Sequence, residues 1–346
     1  MENIIIAGPT HFGILHQMQV ELSSLGYNTQ DFFISEFKFK YKNLGQRLYN
    51  LYRKTILGDY TYKESLRAKA PIEYLTEKLN KLQPAEYGLV IRPDMYPIEI
   101  LHLLRQKVDT LIAYQWDGLD RYPDVLSRMD IFDKFYIFDP ADAKYPNVLP
   151  TTNFHMNIGW ESNTCIDQQI NKVYYVGSFE HSRWTILSEL IEKINRIGVE
   201  QEILVATYTD EQHKIAQQNQ IINLLETQIT YQENLQKLQN CSVLIDLQND
   251  VHNGISFRLF EAIGYDKKVI TTNQAVQSYD FYAPERILIW NNQLSIQELS
   301  DFIHAPNTPY APEIKRKYSL NNWIKYMLDQ KGHIPITFPA IDRFSD

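Results

Sequence analysis

The stretch that most constrains the fold is residues 240–273, where apolar runs alternate with a polar loop and an amphipathic segment. Residues 242–247 are apolar and rich in β-branched side chains, which predicts a buried parallel strand. Ser256 stands at the N-cap position of a short helix with apolar positions at Phe257 and Phe260. Residues 268–272 form the next predicted strand. Such a unit predicts a parallel α/β sheet, with the loop and the helix N-terminus at the carboxyl edge where ligands bind.

Two charged residues near the start of this helix suggest what could bind there. The free N–H groups of a first helical turn favour an anion such as phosphate. Arg258 lies in that turn and could pair with a diphosphate through two parallel hydrogen bonds. Glu261, one turn further on, could accept hydrogen bonds from a ribose diol. The alternative is that both are ordinary surface residues.

The segment NGISFRLFEAIGYDKKVITTN, which begins at Asn253, resembles the donor site of GT-B glycosyltransferases of the bacterial lipopolysaccharide and capsular polysaccharide biosynthesis type. Glu261 and Ala262 match the second Glu and the Ala of the family pattern, in which seven residues separate two Glu residues. Asn253 replaces the first Glu, and Ser256 stands where the family has a loop Gly. The resemblance implies an α/β protein with two Rossmann-like domains whose parallel sheets face a central cleft.

Length and composition agree with a two-domain enzyme and exclude some other classes. A chain of 346 residues has room for two domains of ordinary size. Its net charge of −8 argues against general nucleic-acid binding, which needs a broad basic face. The two cysteines have no metal-site spacing, which favours a reduced, cytoplasmic protein. The N-terminus lacks the basic region of a signal peptide, and no apolar run approaches the ~20 residues of a membrane span.

The first half of the chain predicts a doubly wound sheet of its own, because short β-type runs alternate with helical patterns. We expect an acceptor-binding domain over residues 1–158 and a polar linker near 156–170. The resemblance implies a nucleotide-sugar-binding domain over 171–315. It also implies that the helix and tail of residues 316–346 cross back toward the first domain.

The expected acceptor site lies at the strand ends of the first domain. His11 is in a Gly-containing loop after the first predicted strand, and Asp117 follows a later one. Asp117 is the candidate general base for an acceptor hydroxyl, and Trp116 beside it offers a face for sugar stacking. His11 should face the same cleft. For Asp139, the favoured interpretation is that it merely starts a turn.

In the second domain, the resemblance implies further donor contacts. Gly177 and Arg183 match the family's phosphate loop, and Tyr231 should lie near the nucleobase. The backbone N–H groups of residues 254–257, Gly254 among them, should complete the phosphate site. GT-B enzymes generally need no bound metal, and no Asp-x-Asp follows a predicted strand here, so we expect no metal or other cofactor.

Residues 37–54 are basic and aromatic and contain no acidic residue. One interpretation is peripheral contact with an anionic membrane, to which each Lys or Arg would add roughly 1 kcal/mol. A second is an acceptor groove. A third is a helix that covers the sheet of the first domain and exposes only its basic face.

The function predicted from these features is glycosyl transfer from a nucleotide sugar to a saccharide or lipid-linked acceptor in bacterial surface polysaccharide synthesis. Two alternatives use the same scaffold. A nucleotide-sugar epimerase would need no acceptor, and a non-catalytic module would bind a nucleotide sugar without turning it over.

Overall fold

The computed structural model describes residues 2–35, 41, 43–56, 61–157, 171–248 and 253–339. Within these residues the chain forms two six-stranded sheets whose paired strands are all parallel. The predicted α/β class with two Rossmann-like sheets is therefore confirmed. The predicted linker lies largely outside the described residues, and the exact domain boundaries stay predictions.

The first sheet has the strand order β2-β1-β3-β4-β5-β6. Its strands are β1 Asn3–Pro9, β2 Asn28–Ile34, β3 Ala85–Ile91, β4 Val108–Gln115, β5 Lys134–Ile137 and β6 Val148–Pro150. The helices of this half are α1 Ile14–Ser24, α2 Leu44–Ile56, α3 Thr61–Asn80 and α4 Ile98–Arg105. Pro123–Ile131 forms a 3-10 segment, with Pro123 at its start.

The second sheet has the order β12-β11-β10-β7-β8-β9. Its strands are β7 Lys172–Ser178, β8 Glu200–Ala206, β9 Ile222–Leu225, β10 Val243–Asp246, β11 Lys268–Thr271 and β12 Ile287–Ile289. The helices are α5 His181–Ile197, α6 Asp210–Ala216, α7 Tyr231–Gln239, α8 Phe257–Gly264 and α9 Ile296–His304. This is the strand order of the Rossmann fold, and the direction of winding reverses between β7 and β10.

Both sheets are buried on their two faces, as all-parallel sheets usually are. In β1, Ile4 contributes to one hydrophobic core and its neighbour Ile5 to the other. In β10, Ile245 and Leu244 likewise point into separate cores. The continuous apolar runs in the sequence reflect this burial, because side chains on both faces of each strand avoid water.

The last helices return the chain to the first domain. Helix α10 (Pro312–Lys317) ends before Ser319, whose hydroxyl caps α11 (Leu320–Met327) by accepting a hydrogen bond from the Asn322 N–H. From α11, Trp323 donates through Nε1 to the Thr152 carbonyl at 2.9 Å. The buried apolar side chains of α11 belong to the same hydrophobic core as Ile4 of β1.

Helix α2 turns its apolar face away from the rest of the protein. Leu44 and Leu48 are 74% and 64% exposed, whereas the polar Gln46 and Asn50 lie on the partly buried side. The described part of residues 37–54 therefore does not cover the sheet with its apolar face. Among the described residues, no helix combines the length and the apolar character that crossing a bilayer requires.

Candidate functional site

The described part of the candidate donor site lies at the point where the second sheet reverses its winding. Arg258, in the first turn of α8, donates through Nη2 to the carbonyl of Val176 in β7. Its Nη1 lies 3.7 Å from Oδ1 of Asp246, the last residue of β10. The guanidinium also lies 5.4 Å from the ring centroid of Tyr175. Arg258 thus joins the two strands that flank the reversal point, where ligands bind in folds of this class.

Asp246 organises the start of α8. Its buried carboxylate accepts hydrogen bonds from the hydroxyl groups of Ser256, at 2.8 Å, and Thr271, at 3.2 Å. Ser256 is the N-cap residue of α8, as predicted, but its hydroxyl donates to Asp246 and makes no capping bond. Among the described residues, no side chain caps the first N–H groups of α8, and these groups remain candidates for binding an anion.

Glu261 lies deeper than expected. It is 4% exposed, and its Oε2 accepts a weak hydrogen bond from Asn234 at 3.5 Å. Burial raises the pKa of Glu261, while the charge of Arg258 and the nearby side chains of Tyr231 and Asn234 oppose that rise. A ribose could reach this carboxylate only if the side chains that bury it, such as Asn234, moved away.

Tyr231, expected near the nucleobase, is buried at the start of α7. Its ring packs into the core that β1 and α1 of the first domain share with Leu235. Burial raises its pKa well above the ordinary value. In this structure the ring presents no open face to a base.

Gly177 and Arg183 lie on the β7 side of the reversal point. A Cβ on Gly177 would come within 2.6 Å of the Tyr175 hydroxyl oxygen, so the close packing favours glycine. Arg183, in the first turn of α5, donates through Nη1 to the Leu247 carbonyl at 3.3 Å. Its buried Nε has no hydrogen-bond partner among the residues that the structure describes. The pair Arg183 and Arg258 therefore flanks the end of β10 with positive charge.

The loop before α8 meets the first domain. The N–H of Asn253 donates to Oδ2 of Asp139 at 2.8 Å, and Asn153 donates through Nδ2 to the Ile255 carbonyl at 2.9 Å. Phe257 packs edge-on against Trp116, with ring centroids 5.9 Å apart. The carboxyl edges of the two sheets thus face each other across the domain boundary. Asp139 also accepts from the Ala141 N–H, so it starts a turn, as predicted, and has a second role besides.

The candidate base Asp117 is already engaged by two arginines. Arg92 donates to it through Nη1, and Arg121 does so at 3.2 Å. Arg92 adopts a left-handed backbone conformation, with φ 60°, and also holds Asp94 through two hydrogen bonds at 2.7 and 2.6 Å. To act as a base, Asp117 would have to exchange at least one of these partners for the acceptor hydroxyl. The His11 side chain lies outside the described part of the structure.

The sequence analysis did not identify Asp246, Asn153 or Arg92, which holds both Asp94 and Asp117. Asp246 had a usable signal, because an acidic residue at the end of an otherwise apolar strand is costly to bury without a partner. Asn153 and Arg92 gave no comparable signal, because their partners are 102 and 25 residues away in the chain.

Neither a protein family model nor a curated protein sequence matches this chain. Several solved structures share its fold. WaaB, a lipopolysaccharide outer core galactosyltransferase in its apo form, has a TM-score of 0.51 and 13% identity, covering 94% of this chain and 99% of that one. An alpha-glucosyltransferase in complex with UDP-glucose and DNA containing an abasic site has a TM-score of 0.55 and 10% identity, with coverage of 88% and 92%.

A third similar structure is a UDP-GlcNAc 2-epimerase from Neisseria meningitidis bound to UDP-GlcNAc. Its TM-score is 0.54 at 11% identity, with 94% of this chain and 98% of that chain covered. These likenesses, together with the two Rossmann-like sheets, show that the chain has the GT-B fold. Because one fold hosts different reactions, activity has to be argued from the site.

Proposed function

We propose that this protein is a glycosyltransferase that moves a sugar from a nucleotide-sugar donor to a saccharide or lipid-linked acceptor in bacterial surface polysaccharide synthesis. The observation that carries the proposal is the position of Arg258. It joins β7 and β10 where the winding reverses, and it lies in the first turn of a helix whose leading N–H groups are uncapped. A guanidinium beside such N–H groups is suited to a diphosphate.

In this proposal the second domain stabilises the negative charge that builds up on the departing nucleotide. Arg258 and the α8 N–H groups would do so electrostatically, with Arg183 as a second cation from the opposite face of the sheet. Two of the proteins with a similar fold are described as glycosyltransferases, and two are described with a UDP-sugar bound. We expect transfer to proceed without a bound metal, so a chelator should leave the rate unchanged.

The donor site is tested by calorimetry with UDP and UDP-glucose. Arg258→Lys should weaken binding by about 1.5–3 kcal/mol, because an ammonium cannot reproduce the planar fork of the guanidinium. Glu261→Gln should weaken it by a similar amount if the carboxylate holds the ribose diol. The matched control is Arg196→Lys on the exposed side of α5, which should bind as the wild type does. Wild-type affinity in both site variants, with unchanged melting, would place the donor elsewhere.

The epimerase alternative rests on the similar fold of the UDP-GlcNAc 2-epimerase. Incubation with a nucleotide sugar alone separates the two activities. An epimerase converts the donor to an isomer, whereas a transferase without acceptor gives at most slow hydrolysis. Accumulation of an isomeric nucleotide sugar would therefore replace our proposal with the alternative. Binding without turnover across many acceptors would instead indicate the non-catalytic module.

For the acceptor side, we propose Asp117 as the general base. Arg92 and Arg121 keep its carboxylate in place, and the acceptor hydroxyl would compete with Arg121, the more exposed of the two partners. Asp117→Asn should reduce turnover about 10²–10⁴-fold while donor affinity stays near that of the wild type. Loss of donor affinity and turnover together would indicate a structural role. His11 stays a second candidate for the same site.

We also propose that α2 rests on an anionic membrane surface, where a lipid-linked acceptor would be met. Its outward face carries Leu44, Leu48 and Tyr52, and Arg47 and Lys54 lie on the same helix, in a protein whose net charge is −8. An exposed apolar face flanked by cations fits the interface of an anionic bilayer.

Vesicle co-sedimentation tests this contact. Wild-type protein should bind vesicles containing anionic lipid at low salt and be released as salt rises. The double variant Leu44→Ser with Leu48→Ser should bind poorly yet keep its melting temperature, because both side chains are exposed. A matched double change at exposed apolar residues of two other helices, Val20→Ser in α1 and Ile296→Ser in α9, should bind as the wild type does. Equal binding by all three proteins, or by none, would contradict the role of α2.

A further inference from the structure

The backbone of residues 253–255 enters the second domain's helix α8, but the first domain holds it at three points. Asp139 accepts from the Asn253 N–H, and Asn153 donates to the Ile255 carbonyl. Between them, the ring of Phe138 lies against Gly254. A Cβ at that position would come within 2.2 Å of the ring carbon Cε2.

The carboxylate of Asp139 depends on this contact. Asp139 is 3% exposed, and its two oxygens have separate partners, the Ala141 N–H at 2.9 Å and the Asn253 N–H at 2.8 Å. Because a buried carboxylate is costly unless it is hydrogen-bonded, losing Asn253 would leave one oxygen without a partner. The hydrogen bond from Asn253 to Asp139 therefore stabilises both the buried carboxylate of the first domain and the loop of the second.

The held segment leads directly into the proposed phosphate site. Ile255 is followed by Ser256, which donates to Asp246, and then by the first turn of α8 with Arg258. A change in the backbone at Asn253 would move the start of this helix relative to the end of β10. Catalytic and binding groups need to be held within about 0.5 Å of their working geometry, so such a movement would matter.

We propose that Asp139 is a positioning residue for the donor site, through which the acceptor-side domain sets the conformation of the loop that precedes α8. The donor part of this inference rests on the proposed function. Its consequence is that a change at Asp139, in the first domain, should alter donor affinity in the second.

Asp139→Ser isolates this role. Serine is a good N-cap and can still accept from the Ala141 N–H, but it is too short to serve Asn253 as well. The matched control is Asp142→Asn. Asp142 is a buried carboxylate in the same turn that accepts from the Leu119 N–H at 2.9 Å and so bonds within the first domain.

Hydrogen exchange of the full chain, followed on the peptide that contains residues 253–260, measures the position of the loop without any ligand. We expect exchange about tenfold faster in Asp139→Ser and unchanged in Asp142→Asn. Asp139→Asn keeps the shape but has a single acceptor oxygen for the two N–H groups, so it should also speed exchange of this peptide and serves if Asp139→Ser does not fold. Wild-type exchange of this peptide in the folded variants would overturn the inference.

Calorimetry with UDP then tests the link to the donor site. The dissociation constant should rise about fivefold to tenfold in Asp139→Ser, as for partial loss of a hydrogen bond to a charged group, and stay constant in Asp142→Asn. Faster exchange with unchanged or tighter UDP binding would overturn the link. If the wild type itself binds no nucleotide, the proposed function fails, while the exchange result still decides whether Asp139 holds the loop.

Discussion

The buried carboxylate of Glu21 makes a sharp prediction about stability and pH. Glu21 is in α1, is 6% exposed, and accepts a hydrogen bond from the Asn157 N–H at 2.8 Å through Oε2. Its Oε1 has no hydrogen-bond partner among the described residues. Burial raises its pKa from 4.5 to about 7, against the opposing effect of the Asn157 hydrogen bond. Tyr231 and Tyr265, from the second domain, lie close enough to be influenced by its charge.

The sign follows from which state keeps the proton. The folded protein holds the Glu21 proton up to about pH 7, whereas the unfolded chain releases it near pH 4.5. The folded state is therefore favoured fully below pH 4.5, and this advantage is lost as pH rises to about 7. The shift of about 2.5 units corresponds to about 3 kcal/mol, since each unit is worth 1.36 kcal/mol. Above pH 7 the free energy of unfolding of the wild type is therefore lower by this whole amount than it is below pH 4.5.

Glu21→Gln removes the charge and keeps an oxygen for the Asn157 N–H. At pH 8 we expect the variant to exceed the wild type by about 1–3 kcal/mol in free energy of unfolding, and near pH 5 by little. Urea unfolding at four pH values between 5 and 8 measures this difference. The control is Glu192→Gln, an exposed carboxylate on α5, for which we expect no pH-dependent difference. A Glu21→Gln variant whose difference from the wild type is the same at pH 5 and pH 8 would refute the reasoning.

Three further predictions concern packing. Gly254→Ala should lower the free energy of unfolding by about 1–3 kcal/mol, because its Cβ would overlap the ring of Phe138. The control Gly45→Ala, on exposed α2, should be neutral or slightly stabilising in calorimetric melting. Lys268→Met should lower the free energy of unfolding, measured in urea, by about 1–3 kcal/mol, because three carbonyls at the end of α9 lose their buried donor. An unchanged midpoint of urea unfolding would argue against this role. Cys241 is buried with its pKa raised to about 12, so iodoacetamide should label it slowly in the native protein and rapidly in urea, as peptide mass spectrometry would show.

Local pattern was sufficient to predict the elements around the donor site. The apolar run of β10 and the spacing of Phe257 and Phe260 predicted a strand and a helix that the structure contains. The strands β6 and β9 were not predicted, since a proline ends β6 and the polar Asn223 interrupts the apolar residues of β9. The order of strands in each sheet was also beyond local pattern, because it depends on long-range pairing.

The errors at the site have a common physical cause, which is competition from partners that are distant in the sequence. Ser256 is a good N-cap by local chemistry, but the Asp246 carboxylate, ten residues away, takes its hydroxyl. A local pattern does not reveal the burial of Glu261, whose carboxylate contacts Asn234 of α7. For α2, the sequence shows an apolar face but not the direction in which it points, which depends on what the helix packs against.

The return of α11 to the first domain also affects the order in which the protein can fold during synthesis. Trp323, Ile324 and Met327 are part of the hydrophobic core beneath β1, and they leave the ribosome long after Pro150, the end of the domain's last strand. At 5–20 residues per second, the ribosome needs roughly 10–40 s to pass from one to the other. During that time the first domain has an open apolar groove where α11 will dock. Its nascent chain is therefore a candidate substrate for chaperones until the final helix emerges.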